Sequence, residues 1–321
     1  MTKIDALMRE YGGQVSSASL LVIRDGQPIV RRAYGLADVD NNIPATPATN
    51  YRLASVTKQF TATAILRLVE EGKLSLDDRV RQWLPTLPAS TDAITIRHLL
   101  THTSGLIDYE DVMSPDTTEQ LKDIDVLRLL ESQNSLYFAP GTSYRYSNSG
   151  YALLALIVER GSGLSFATYL KQRIFDPIGM NATVAHEEGI STVANRAYGH
   201  TLVDGKWTRT DQSLTSAVLG DGGIYSSIYD LAKWDAALYD PFYAQAFVPA
   251  TPTDDANIRY GFGWRISTHR GERMLWHSGE TRGFRNVLIR FPERRLTVIL
   301  LTNRNDPPPY AKALAVADLF L

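Results

Sequence analysis

Three short motifs in this chain combine residue types that can carry out covalent hydrolysis. Ser55 precedes Lys58 by three residues, Tyr146 precedes Asn148 by two, and the triplet His277-Ser278-Gly279 follows later in the chain. A serine hydroxyl attacks a carbonyl only when a neighbouring base takes its proton, and a lysine and a tyrosine are candidate bases. Each motif alone is common, but their order together predicts a serine hydrolase that works through an acyl-enzyme on Ser55.

The predicted nucleophile lies at the start of a predicted helix. Apolar residues recur at helical spacing from Thr57 to Glu71, and the pattern stops at Gly72. This spacing places Lys58 on the same helix face as Ser55. The dipole and the free backbone N–H groups at a helix N-terminus favour a developing oxyanion, so the position suits acyl transfer.

The elements that must position these motifs divide the chain into strand-rich ends and a helical middle. Strand patterns occupy 19–24 and 28–34, around a turn at 25–27, and then 260–267, 274–277, 286–291 and 296–302. Helical periodicity occupies 1–14, 80–83, 96–101, 119–131, 151–160, 166–175, 228–238 and 310–321. We predict one domain over 1–321 with a mixed α/β (α+β) fold, whose antiparallel sheet is built from both termini and flanked by helices. Its α/β subdomain comprises 1–72 plus 217–321, and a helical subdomain, 73–216, is inserted.

Composition excludes several classes of function. The formal net charge is -2, and Lys and Arg form no block, so nucleic acid is not an expected partner. The absence of cysteine excludes disulfides, thiolate metal sites and a cysteine nucleophile. Apolar stretches such as 153–158 and 298–301 are too short to cross a bilayer, so no membrane association is expected. The polar N-terminal helix pattern differs from a secretory signal, which predicts a cytoplasmic protein, with a periplasmic protein as the alternative if a signal peptide was removed.

The order of the motifs resembles that of the serine β-lactamase and penicillin-binding-protein superfamily. The style is similar to the class C β-lactamase-like group, which includes DD-peptidases, D-aminopeptidases and family VIII carboxylesterases. Four further runs look like signatures of this family: YRLA (51–54), LLTHTSGL (99–106), FAPG (138–141) and GDGGIYSS (220–227). The resemblance covers nearly the whole chain. It implies a β-lactamase/transpeptidase-like fold with the active site where the sheet meets the helical subdomain.

The resemblance also implies roles for the motif residues. Tyr146 is expected near Ser55 and Lys58, where the two bases would titrate as a coupled pair, so we assign proton transfer to both. Asn148 would hydrogen-bond Lys58 or a substrate carbonyl. With Asn148, the residues expected to bind the substrate are His277, Ser278, Gly279 and Glu280. The backbone N–H groups of Ser55 and Glu280 would form the oxyanion hole. Water then completes the hydrolysis, and no cofactor is implied.

His277 is the informative departure, because β-lactamases commonly carry lysine at this place in the triplet. A histidine with an ordinary pKa of about 6.5 is mostly neutral at pH 7, so it is a poor partner for a substrate carboxylate. Glu280 adds a negative charge nearby, which Arg282 or Arg285 could offset. The expected partner is a small-molecule ester, amide or β-lactam, and the triplet favours a carboxylesterase acting on small esters. A DD-peptidase, D-amino-acid amidase or β-lactamase, and a penicillin-binding sensor without turnover, are the alternatives.

Other sequence patterns give no support to a different chemistry. His98 and His102 are four residues apart, but no carboxylate lies between them as in a metalloprotease helix, so we predict no metal site. The chain has no GxSxG elbow and no Walker A or GxGxxG phosphate loop.

Overall fold

The computed structural model describes residues 2–321, apart from the side chains at 251 and 252. The strands are β1 Ala18–Arg24, β2 Gln27–Tyr34, β3 Leu36–Asp38, β4 Ile43–Pro44, β5 Tyr51–Arg52, β6 Val184–Ala185, β7 His200–Val203, β8 Lys206–Arg209, β9 Ile224–Ser226, β10 Thr251–Pro252, β11 Arg259–Tyr260, β12 Arg265–His269, β13 Glu272–Thr281, β14 Phe284–Phe291 and β15 Leu296–Thr302. The α-helices are α1 Lys3–Leu7, α2 Lys58–Glu70, α3 Val80–Trp83, α4 Ile96–Leu100, α5 Tyr109–Val112, α6 Asp123–Glu131, α7 Asn148–Ser162, α8 Phe166–Leu170, α9 Leu219–Gly222, α10 Ile228–Ala237 and α11 Tyr310–Ala317. Shorter 3₁₀ turns include Arg9–Tyr11 and Ala54–Thr57, and Lys171–Phe175 is a π-helix.

Both ends of the chain build one antiparallel sheet. Within the described residues its order is β10-β11-β12-β13-β14-β15-β1-β2, so the N-terminal hairpin joins the C-terminal strands through β1 and β15. The hairpin closes at Asp25-Gly26, where both residues have positive φ (52° and 77°), as a type I′ turn requires. The predicted mixed α/β fold with a sheet from both termini is confirmed.

Both faces of the sheet are buried. Side chains alternate along its central strands, and the two sets enter two different cores. In β1, Leu21 and Ile23 belong to the large core shared with the helical region. Leu20 and Val22 belong to a second core, which packs against α1 and α11. A buried ion pair also ties α10 to the sheet, since Arg290 Nε lies 2.7 Å from Asp235 Oδ1.

Several predicted elements have different limits in the structure. The predicted strand 260–267 is wrong as one element, because the chain turns between β11 and β12 at Gly263, whose φ is +75°. A Cβ there would lie 2.6 Å from the carbonyl oxygen of Lys58, so glycine allows this turn to pack tightly on α2. The helix predicted at 119–131 begins at Asp123, and the final helix ends at Ala317.

The predicted N-terminal helix 1–14 is shorter and broken. Within the described residues it consists of α1 and the 3₁₀ turn Arg9–Tyr11, and Met1 lies outside them. Most regular elements in the segment 73–216 are helices, but long stretches of it are turns and loops. It also contains β6 and the hairpin β7–β8, and the sequence analysis did not predict that hairpin.

No single helix among the described residues has the length and apolar character needed to cross a membrane. By length and composition alone, one pair bent by 76°, Asn148–Ser162 with Phe166–Ile178, passes the same test.

Candidate active site

Ser55 lies in the 3₁₀ turn Ala54–Thr57, which runs directly into α2. The residue before it, Ala54, has a φ of 50°, a left-handed conformation that costs a non-glycine residue roughly 1 kcal/mol or more. With this conformation at Ala54, the chain turns sharply between β5 and α2. Ser55 is consequently half-buried and lines an open cleft at the helix start.

We call this opening the Ser55 cleft, and its lining comes from segments that are distant in the sequence. The residues are Arg52, Ala54, Ser55, Tyr109, Glu110, Asn148, Thr215, Asp221, Gly222, Glu280 and Thr281. They come from the sheet strand β13, from the start of α2 and from the helical region. The cleft therefore lies where the sheet meets the helices.

Lys58 is fully buried beneath Ser55 and donates to three acceptors. Its Nζ lies 3.1 Å from Ser55 Oγ, 2.8 Å from Asn148 Oδ1 and 3.0 Å from the backbone carbonyl of Asp221. A lysine ammonium has three donors, so these contacts satisfy all of them. The two fixed acceptors, from Asn148 and Asp221, hold the nitrogen beside Ser55.

Tyr146 lies next to Lys58 through its ring. Lys58 Nζ is 4.9 Å from the ring centroid, and the Tyr146 hydroxyl is buried without a hydrogen-bond partner among the described groups. The ring stacks on His102 at 4.3 Å between centroids. His102 is held in turn by the backbone N–H of Ser147, which donates to Nδ1 over 3.1 Å. The LLTHTSGL run thus positions the tyrosine.

Strand β13 passes over the start of the Ser55 turn. A Cβ at Gly279 would lie only 2.0 Å from the carbonyl oxygen of Leu53 and 3.3 Å from the backbone nitrogen of Ser55. Only glycine allows this approach, which places Glu280 at the cleft beside Ser55. The Glu280 carboxylate is paired with Arg285, with 3.5 Å between Nε and Oε2.

His277 and Ser278 are not among the residues that line the Ser55 cleft, although the sequence analysis expected them to bind the substrate. The His277 side chain is 1% exposed, with Nε2 2.9 Å from the Tyr260 hydroxyl and Nδ1 2.6 Å from the Ser278 carbonyl. Burial, followed by the charge of Arg265, lowers the pKa of His277 well below its usual value. The ring is therefore neutral, donating from Nδ1 and accepting at Nε2. Ser278 alternates with it and points to the opposite face of β13.

Two carboxyl groups at the cleft were missed by the sequence analysis. Glu110 Oε1 accepts a hydrogen bond from Asn148 Nδ2 over 3.0 Å, so Asn148 connects this carboxyl to Lys58. Asp221 Oδ2 accepts from the Tyr109 hydroxyl over 3.1 Å. Asp221 stands inside the GDGG run, which was noted without assigning it a role, and Glu110 follows the LLTHTSGL run by four residues.

These carboxyl groups are affected by their surroundings. Burial raises the pKa of Asp221 to about 7, although the charge of Lys58 opposes the shift. Burial and the neighbouring Asp108 also raise the pKa of Glu110. Arg52, which also lines the cleft, donates to the Ser216 carbonyl and is 3% exposed. The cleft is thus acidic on balance, and its cations are engaged by other groups.

His98 and His102 do not point to a shared ligand. His98 Nδ1 accepts from the backbone N–H of Thr95 over 3.2 Å, whereas His102 Nδ1 accepts from Ser147. Each imidazole fixes a different backbone segment, so both have structural contacts of their own.

Comparisons with known proteins agree with the fold and the motif order. The family model described as Beta-lactamase matches residues 4–321. Penicillin-binding protein 4* of Bacillus subtilis is 33% identical over 94% of this chain and 71% of its own length. D-aminopeptidase of Gluconobacter oxydans is 30% identical over 98% of this chain, which spans only 60% of that relative's length.

Solved structures extend the same relationship. The octameric penicillin-binding protein homologue from Pyrococcus abyssi superposes with a TM-score of 0.86 at 29% identity, covering 99% of this chain and 76% of its own. D-amino acid amidase from Ochrobactrum anthropi SV3 gives a TM-score of 0.81 at 25% identity, covering 94% and 90%. The resemblance drawn from the motifs is confirmed. The chain belongs to the Beta-lactamase family and is a serine hydrolase of the β-lactamase and penicillin-binding-protein type.

Proposed function

We propose that this hydrolase cleaves small amides and esters whose acyl group carries an amino group, with Ser55 as the nucleophile. The observation that carries the proposal is the acidic lining of the Ser55 cleft, in which Glu110 is exposed to an incoming substrate and Asp221 is buried behind the surface. An ammonium group on the substrate is attracted by such a lining, whereas a carboxylate is repelled. Two relatives are named D-aminopeptidase and D-amino acid amidase, which supports a substrate of this kind.

Acylation begins with transfer of the Ser55 proton to Lys58. The 3.1 Å contact to Ser55 Oγ makes Lys58 the nearest base, and in this step it acts as the free amine, without the third hydrogen that the ammonium donates to Ser55. The amine keeps two hydrogens for the Asn148 side chain and the Asp221 carbonyl, and its lone pair faces Ser55. The serine oxygen then bonds to the substrate carbonyl carbon, and the carbonyl oxygen becomes the oxyanion.

The oxyanion is stabilised by the backbone N–H groups of Ser55 and Glu280. The tight passage of Gly279 over the Ser55 turn brings these two segments to the same cleft. The free hydroxyl of Tyr146 is the second proton carrier, which delivers a proton to the leaving amine or alcohol as the C–N or C–O bond breaks. Water then attacks the carbonyl carbon of the acyl-enzyme and gives a proton to Tyr146, which regains its hydroxyl. The bond from Ser55 Oγ to that carbon breaks, Lys58 returns its proton to Ser55 Oγ, and the acid leaves.

A carboxylesterase acting on small uncharged esters, which the sequence favoured, is the second candidate. The neutral state of the buried His277 supports it, because a neutral group there gives no preference for an anionic substrate. The two candidates use the same acyl-enzyme and differ in the charge of the preferred acyl group. They are therefore separated by substrates rather than by variants of Ser55.

The test is a matched substrate series with wild type, Ser55→Ala and a control. The p-nitroanilides of D-alanine and N-acetyl-D-alanine differ in the amino charge, p-nitrophenyl butyrate reports simple ester cleavage, and nitrocefin reports β-lactam cleavage. We expect the D-alanine compound to have the higher kcat/KM of the two anilides, all turnover to vanish in Ser55→Ala, and Ser132→Ala, at an exposed position, to keep it.

Other outcomes would contradict the proposal. Turnover of the butyrate ester with neither anilide cleaved would favour the carboxylesterase. Preference for nitrocefin, or its stable attachment to Ser55 seen by intact mass, would favour a β-lactamase or a penicillin-binding sensor. Activity retained in Ser55→Ala would refute Ser55 as the nucleophile.

A further inference from the structure

Apart from the Ser55 cleft, the structure brings together three side chains with the donor atoms of a metal site. Asp38, at the end of β3, Asp40, in the turn that follows, and His200, at the start of β7, each present one ligand atom. These atoms all lie within 4.8 Å of one another. The first two residues and the third are about 160 positions apart in the chain, so only the tertiary fold joins them.

The environment of the His200 side chain distinguishes this group from an ordinary acidic turn. This side chain is fully buried, and among the described residues neither Nδ1 nor Nε2 has a hydrogen-bond partner of standard geometry, the Tyr198 backbone being a weaker contact. Native interiors pair the great majority of such buried polar atoms. A buried imidazole that lacks a well-formed hydrogen bond and lies next to two carboxylates has the arrangement of a metal ligand.

We propose that Asp38, Asp40 and His200 bind one divalent transition ion of the zinc class. One imidazole and two carboxylates suit Zn²⁺ or its first-row neighbours, whereas Ca²⁺ and Mg²⁺ prefer ligands that are all oxygen. Asp38 and His200 are buried, and the Asp40 side chain is 49% exposed, so water has access to the remaining coordination positions. No catalytic step depends on this ion.

Arg209 already lies at these carboxylates and competes with a metal for them. The Arg209 Nη2 atom is 2.7 Å from Asp38 Oδ1, and Nε is 3.1 Å from Asp40 Oδ2. Each carboxylate keeps a second oxygen, and the one on Asp38 accepts from Asn41 Nδ2 over 2.7 Å. The Arg209 guanidinium also lies 4.1 Å from the Tyr198 ring centroid. Arginine would retain this contact when a metal binds the two carboxylates in its place.

The ion would reinforce a contact that already exists between two segments. Strand β3 pairs with the short β4, and β7 pairs with β8 in the separate two-stranded hairpin. The Tyr198 backbone N–H, two residues before β7, donates to the Ala37 carbonyl of β3 over 2.8 Å, and Arg209 of β8 is paired with Asp38 and Asp40. Bridging Asp40 to His200 would hold the β3–β4 turn more firmly on the β7–β8 hairpin. This is a stabilising role, and its effect is readable without substrate.

The experiment is calorimetric titration of the chelator-treated full chain with ZnCl₂ alone, paired with thermal unfolding in the presence and absence of zinc. We expect one equivalent to bind, and Tm to rise with zinc. Asp40→Asn, at a half-exposed position, should weaken binding at least about tenfold, and Arg209→Gln should tighten it. His200→Gln should abolish the zinc-dependent rise in Tm, provided that the variant folds.

The matched control is His269→Gln. His269 also contacts an aspartate that an arginine shares, Asp318 with Arg270, but the three-ligand cluster is absent there among the described residues. This variant should bind zinc as wild type does. No saturable binding by wild type, equal affinity in wild type and Asp40→Asn, or Ca²⁺ binding as tight as Zn²⁺ would overturn the proposal.

Discussion

Replacing Glu110 by glutamine tests how the cleft selects its substrate. The Glu110 carboxylate accepts a hydrogen bond from Asn148 Nδ2, and the carbonyl oxygen of Asn148 accepts from Lys58 Nζ. Glutamine has the same shape and keeps an acceptor oxygen, so Glu110→Gln removes the charge while the link to Lys58 can persist. The change therefore addresses the charge of the substrate more than the position of the base.

The expected magnitude follows from Coulomb's law for a substrate ammonium in the cleft. Two unit charges about 5 Å apart interact by about 1 kcal/mol in water and about 3 kcal/mol at an effective dielectric constant of 20. Glu110 is exposed on the cleft rim, so the lower figure applies. We expect kcat/KM for D-alanine p-nitroanilide to fall about fivefold, since 1.4 kcal/mol corresponds to a factor of ten. The loss should shrink in high salt.

The assay compares the D-alanine and N-acetyl-D-alanine anilides in wild type, Glu110→Gln and Glu188→Gln. Glu188 is a matched control, because its carboxylate contacts His186 and does not line the Ser55 cleft. The ratio of kcat/KM for the two substrates should fall in Glu110→Gln alone. An equal loss of kcat/KM on both substrates would mean that Glu110 positions Asn148 and Lys58 and does not interact with the charge of the substrate. An unchanged ratio would refute the argument from the acidic cleft.

Three further predictions concern the groups that support the site. Gly279→Ala should abolish turnover and destabilise the fold by about 1 to 3 kcal/mol, because its Cβ would meet the Leu53 carbonyl oxygen at 2.0 Å; activity and urea unfolding check both. Tyr260→Phe leaves the buried Nε2 of His277 without its donor, so urea unfolding should show a loss of about 1 to 3 kcal/mol. Burial raises the pKa of Asp123 to about 7, above the unfolded value of about 4, so this carboxyl's contribution to the free energy of unfolding falls as pH rises through that window. Asp123→Asn should flatten that pH dependence if the variant folds, and a slope unchanged from wild type would contradict it.

The sheet could be predicted because its signals are local. Alternating apolar residues and the Asp25-Gly26 turn gave the first hairpin, and both turn residues have the positive φ that this dipeptide favours. Asp204-Gly205 gives the same signal, and the turn between β7 and β8 has φ values of 50° and 76°. That hairpin was missed because the strands beside it are short and mostly exposed, so they lack a clear apolar alternation.

The candidate site was only partly predictable for a different reason. Motif order predicted Ser55, Lys58 and Asn148 as site residues. In the structure, Lys58 Nζ lies within hydrogen-bond distance of both Ser55 and Asn148. The same order could not show that His277 is enclosed by Tyr260, since that contact depends on how β11 and β13 lie in the sheet. The contribution of Glu110 also depends on tertiary contacts.

The selectivity that we propose follows from how the cations near the cleft are engaged, which charge counting could not show. A substrate carboxylate needs a cation that can turn towards it. Arg52 donates to the Ser216 carbonyl and Arg285 is paired with Glu280, whereas Arg265, 5.6 Å from the Tyr146 ring centroid, is not among the residues that line the cleft. Lys58 is held by three acceptors. A chain with a formal charge of -2 can therefore present a cleft in which the exposed Glu110 carboxyl, which has no cationic partner among the described residues, is free to meet a substrate ammonium.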